Sequence, residues 1–86
     1  MTISYGVRFL KSARTLPKVQ QRKLAGLLEL LQSNPYNPLL HTKPLTNELA
    51  GLYSFRITRD WRVIFRFDSP IEIVLVDVGN RKDIYR

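Results

Sequence analysis

The chain has 86 residues, a length at which folding buries only about 60–65% of the surface exposed by the unfolded chain, so it has room for one small core. Fourteen Lys and Arg against seven Asp and Glu give a net charge of +7, which points to a polyanion or an acidic partner. With no cysteine and a single histidine, His41, disulfide frameworks, thiolate zinc sites and two-histidine mechanisms are excluded, and no apolar run reaches the roughly 18–20 residues of a membrane span.

In chain order, Ile3 to Phe9 alternates apolar with small or polar side chains, the pattern of a half-buried strand. A short helix is expected from Phe9 to Thr15, broken at Leu16-Pro17. Pro17 suits the first position of a second helix, where its missing N–H costs nothing. Leu24, Leu27, Leu28 and Leu31 recur at helical spacing and give that helix one apolar stripe as far as Gln32. Lys18, Arg22 and Lys23 fall off the stripe, and with Lys11 and Arg14 they make this part of the chain strongly basic. Ser33-Asn34-Pro35 ends the helix, and Tyr36 to Pro44, carrying Pro38 and Pro44, reads as an irregular connection.

From Gly51 the period becomes two. Tyr53, Phe55 and Ile57 share one face of a strand, and Ser54, Arg56 and Thr58 share the other. Arg59-Asp60 makes a turn, after which Trp61, Val63, Phe65 and Phe67 alternate with Arg62, Ile64, Arg66 and Asp68. Asp68-Ser69-Pro70 turns again, and Ile71 to Val78, rich in β-branched residues, reads as a central strand. Gly79-Asn80 closes it, and Arg81 to Arg86 is a polar tail. The order β-α-α-β-β-β predicts an α+β fold: a small, curved, mostly antiparallel sheet with two N-terminal helices packed on one face.

A hairpin about Arg59-Asp60 sends the aromatic residues toward the helices and brings Arg56, Arg62 and Arg66 out together on the opposite face. Like charges across neighbouring strands destabilise a sheet unless solvent separates them or an anion sits among them. Guanidinium forks match phosphate in two-point contact. Arg81, Lys82 and Tyr85 leave the end of the neighbouring strand, adding cations and a phenol. Such a set suits RNA cleavage by the substrate's own 2′-hydroxyl, which needs a base, positive charge for the transition state and an acid for the leaving 5′-oxygen. The same residues also read as a solvated face, His41 as a surface histidine, Tyr85 as a packing residue and the basic helices as a partner's docking surface. Asp60 and Asp83 read as balancing neighbouring arginines, and Trp61 as a core residue by its phase.

Four stretches together resemble the RelE/ParE superfamily of toxins: His41-Thr42-Lys43-Pro44-Leu45, Leu49 to Ile57, Asp60 to Phe65, and Val76 to Tyr85. Val7-Arg8-Phe9 and the Leu16-Pro17 helix start add to the likeness, which covers nearly the whole chain as one domain over residues 1–86. The resemblance implies the toxin of a type II toxin–antitoxin pair, cytoplasmic and without cofactor, cutting mRNA in the ribosomal A site without metal. It implies catalytic roles for Arg62, Arg81 and Tyr85, with Arg56 on a basic strand position. Ser54 stands where RelE-like members carry a lysine, Lys43 where YoeB-like members carry a glutamate base, and Asn80 where some relatives have histidine. Lys43, Arg56 and His41 are therefore the candidate bases. RNA contact is expected from His41, Arg59, Lys82 and the helix cations Lys11, Arg14, Lys18, Arg22 and Lys23. The implied partners are an acidic antitoxin, the ribosome and mRNA, with operator DNA bound only by the toxin–antitoxin complex. Within the same superfamily, ParE-like members instead inhibit DNA gyrase by binding, and a non-catalytic basic binding module is a third reading.

Overall fold

A computed structural model describes residues 1–85; Arg86, the last residue of the predicted tail, lies outside the described residues. The strands are β1 (Thr2–Tyr5), β2 (Lys43–Pro44), β3 (Tyr53–Arg56), β4 (Trp61–Ser69) and β5 (Glu72–Asn80). The helices are α1 (Val7–Arg14), α2 (Lys18–Ser33) and a terminal turn, α3 (Arg81–Ile84). The sheet order is β1-β5-β4-β3-β2; β1 runs parallel to β5 and every other pair is antiparallel. The predicted α+β architecture is present, with two additions: the edge strand β2 and α3.

The first strand is shorter than its alternation suggests, because Phe9 belongs to a helical face. Phe9 and Leu16 are buried and Ala13 packs beside them, the spacing of one α1 stripe continuing to Leu16. Gly6 makes the change of direction possible: its N–H donates to the Leu75 carbonyl at 2.9 Å, and a β-carbon there would stand 2.8 Å from that oxygen. Leu24, Leu27 and Leu31 of α2 then pack with Phe9 and Leu16 onto Phe55, Val63, Phe65, Ile73, Leu75 and Val78. This is the core, and it lies on one side of the sheet. Burying each such side chain stabilises the fold by about 1.5–3 kcal/mol. Trp61 is half-buried against it, as its phase implies.

The connection after α2 is pinned by Leu40, which is fully buried at the end of a 3-10 turn over Pro38–Leu40. Its last two residues, expected to be irregular, pair as β2 with Tyr53 and Ser54; an edge position is where a strand tolerates proline. Gly51, at φ +94, supplies the left-handed residue that turns the chain into β3.

Candidate functional site: the arginine face

The hairpin register decides what stands on the sheet's second face. Arg56 lies directly opposite Arg62, Ser54 opposite Ile64, and Lys43 opposite Ser54. Because paired residues share a face, Lys43, Ser54 and Ile64 form one row and Arg56, Arg62 and Gly79 the next. Lys43 thus comes onto the arginine face one pleat from Arg56, although its local sequence gives no strand signal.

Arg62 departs from the solvated side chain that alternation suggests: it is only 5% exposed. Its Nε and Nη2 donate to the Arg59 carbonyl at 3.2 and 3.0 Å. That carbonyl is held in place by the turn, where the Ile57 N–H donates to the Trp61 carbonyl at 2.8 Å and Thr58 Oγ1 accepts from the Trp61 N–H at 3.3 Å. No carboxylate among the described residues pairs with Arg62 or with Arg56. A buried guanidinium facing a second one is therefore left without a counter-charge.

Arg66 does not join them. It lies one row beyond buried Ile64 and donates through Nε to Asp68 Oδ1 at 2.8 Å, which neutralises it. The expected roles of Asp60 and Asp83 as arginine partners are likewise not seen; the described ion pairs are Arg66–Asp68 and Arg8–Asp77.

The chain end folds back onto this face. The Arg81 N–H donates to the Asp60 carbonyl at 2.7 Å, tying the start of α3 to the hairpin turn. Asn80 caps α3 by accepting from the Lys82 N–H at 3.0 Å. Gly79 is the partner of Arg62, and a β-carbon on Gly79 would meet Ile84 at 3.8 Å, so Ile84 lies over the arginine row. Tyr85 follows, against residues Thr46–Leu49 in a recess of about 420 Å³, its hydroxyl buried without a hydrogen-bond partner. Arg81 and Lys82 are exposed at the mouth of the same turn.

His41 lines a cleft that Lys43 does not. It adopts left-handed backbone (φ 51) after the 3-10 turn and lines the cleft with Lys23, Arg56 and Arg59. Of the helix cations, Lys23 alone lines that cleft; Lys11, Arg14, Lys18 and Arg22 are exposed on α1 and α2 and do not.

Asp77 is a further organising residue that sequence reasoning missed. It accepts from Ser12 Oγ at 2.7 Å, pairs with Arg8 Nε at 3.0 Å, and takes the Val78 N–H at 2.9 Å. These contacts fasten α1 to the β5 segment leading to Gly79 and Arg81. A carboxylate in the middle of a strand rich in β-branched apolar residues was the available signal.

Residues 6–85 match the family model described as ParE toxin of type II toxin-antitoxin system, parDE. The chain is 39% identical over 85 residues to "Toxin RelG" of Mycobacterium tuberculosis, covering 95% of this chain and 97% of that one. Among solved structures it is similar to YafQ from E. coli strain BL21(DE3), with TM-score 0.82 and 22% identity over 98% of this chain and 97% of that chain. It is also similar to the toxin–antitoxin complex RelBE2 from Mycobacterium tuberculosis, with TM-score 0.68 and 28% identity over 93% of this chain and 96% of that chain.

Proposed function

The chain belongs to the ParE toxin family of type II toxin–antitoxin systems, and we propose that it acts as a ribosome-dependent endoribonuclease that cuts mRNA in the A site. The observation that carries this reading is Arg62: buried, opposite Arg56, and bound by a carbonyl instead of a carboxylate. An arginine kept in that condition is preorganised for an anion, and a donor aimed at developing charge is worth about 3–4 kcal/mol in a water-poor site.

In the proposed reaction the RNA 2′-oxygen attacks the adjacent phosphorus while its proton passes to a base. The bond from phosphorus to the 5′-oxygen breaks, leaving a 2′,3′-cyclic phosphate, and an acid protonates the departing oxygen. Arg62, with Arg56 and Arg81, stabilises the phosphorane-like transition state. Lys43, which shares the arginine face, takes the 2′-hydroxyl proton as its neutral amine. Arg56 is assigned to the phosphate, and His41 to the neighbouring cleft. Tyr85 supplies the proton to the 5′-oxygen, its hydroxyl swinging out of the recess against Thr46–Leu49 as RNA binds. Lys82, Arg59, His41 and the exposed helix cations Lys11, Arg14, Lys18, Arg22 and Lys23 bind RNA phosphates, so ribosome affinity falls steeply with added salt.

An acidic antitoxin segment that covers the cationic face is the partner this charge calls for, in keeping with the toxin–antitoxin complexes among the structural relatives. Operator DNA is bound only by that complex. The test is purified protein added to translating ribosomes: codon-positioned mRNA cuts appear with the wild type and vanish with Arg62→Ala. A second reading, gyrase inhibition, is favoured by the ParE description of the matching family model. Loss of supercoiling with intact mRNA is its signature.

A further inference from the structure

We propose that the cleft between α2 and the β3–β4 turn is a nucleotide pocket, taking one base and phosphate of the RNA next to the cut. The cleft has a volume of about 370 Å³, within the range of small-ligand pockets. Its polar wall is cationic: Lys23 from α2 meets Arg56 and Arg59 from the hairpin, and among the described residues none of the three has a carboxylate partner. Its other wall is apolar, formed by the buried Leu27 and Ile57 and by Leu39.

Leu39 is the unusual member. It is 67% exposed beside the fully buried Leu40, which anchors the loop and so fixes Leu39 at the cleft instead of in the core. Cations alone would accept any phosphate. Cations facing an apolar ledge fit a phosphate that carries a flat, weakly hydrated ring. His41, on the same lining, offers ring nitrogens to a base edge, the kind of contact that reads single-stranded RNA.

The cleft adjoins the buried arginine through two shared parts. Arg56 lines it and stands opposite Arg62, and the Arg59 carbonyl is the acceptor of the Arg62 guanidinium. A strand whose scissile phosphate rests on Arg62 therefore leads its neighbouring nucleotide into the cleft. That the nucleotide belongs to RNA rests on the endonuclease reading; the binding chemistry does not.

The test is titration of isotope-labelled protein with each nucleoside 5′-monophosphate and with inorganic phosphate, following backbone amide shifts. The mononucleotide is expected to perturb residues 39–41 and 56–59 and to bind on the order of tenfold tighter than phosphate, the factor supplied by burying ~60 Å² of apolar surface. Leu39→Ser, at an exposed position, is expected to bring mononucleotide affinity down to that of phosphate, and Lys23→Gln to weaken both. Equal affinity for phosphate and mononucleotide, or shifts confined to other residues, overturns the pocket. Nucleotide binding here by a protein that leaves mRNA intact in a translating extract supports the pocket and overturns the endonuclease reading. Cut mRNA from a protein whose cleft ignores nucleotides does the reverse.

Discussion

Replacing Arg62 with methionine keeps an unbranched side chain of similar reach and removes its charge, which separates a structural arginine from a functional one. Three effects decide the outcome. The guanidinium is 5% exposed and lacks a carboxylate, so its desolvation penalty of several kcal/mol is relieved. Repulsion from Arg56, its cross-strand partner, disappears as well, and with water around the exposed Arg56 this is worth on the order of 1 kcal/mol. Against these stands the loss of two hydrogen bonds to the Arg59 carbonyl, together worth about 1–3 kcal/mol. The balance favours Arg62→Met by roughly 1–4 kcal/mol. For a domain of this size each kcal/mol moves Tm by about 4–8 °C. Thermal melts followed by circular dichroism should thus show a rise, while mRNA cutting falls by about 10²–10³. A fall in Tm of more than about 5 °C would refute the reasoning, because Arg62 would then be holding the fold together.

Other substitutions probe the supports of the site. Gly6→Ala drives a methyl into the Leu75 carbonyl oxygen and should cost about 1–3 kcal/mol, whereas Gly79→Ala meets Ile84 only at ordinary contact distance and should leave Tm nearly unchanged; paired melts check both. Asp77→Ala removes the acceptor of Ser12 and Val78 and should destabilise by about 1–3 kcal/mol, little of it from the Arg8 pair, whose side chain is 81% exposed. Tyr85→Phe deletes a buried hydroxyl that has no partner, so denaturant unfolding should show a gain of about 1 kcal/mol while cutting is lost.

The hairpin and its facing arginines were legible because strict two-residue alternation on either side of Arg59-Asp60 leaves one register that keeps the aromatics inside. The α2 stripe was legible for the corresponding helical reason. Less local features were not. Val7-Arg8-Phe9 fits a strand and a helix equally, and what separates the two lies far away in the chain: the core that buries Phe9 and the Leu75 carbonyl beside Gly6. Ser12 and Asp77 meet across 65 positions of chain, which no spacing rule anticipates. Alternation correctly put Arg62 on the second face but could not show it buried, because alternation sets the face of a strand residue and says nothing of what covers it. The Asn80 cap before Arg81-Lys82-Asp83 was a readable sign of the terminal turn. The cleft of Lys23, His41, Arg56 and Arg59 joins three separate segments, and nothing in any one of them announces the others.

The most direct measurement of the proposed activity is induced expression in bacteria with transcript 5′ ends mapped against reading frame, comparing the wild type with Arg62→Met. New ends at a fixed codon phase within translated regions, absent from the variant, are the predicted result. Transcripts that stay whole while growth stops and plasmid supercoiling declines would contradict it.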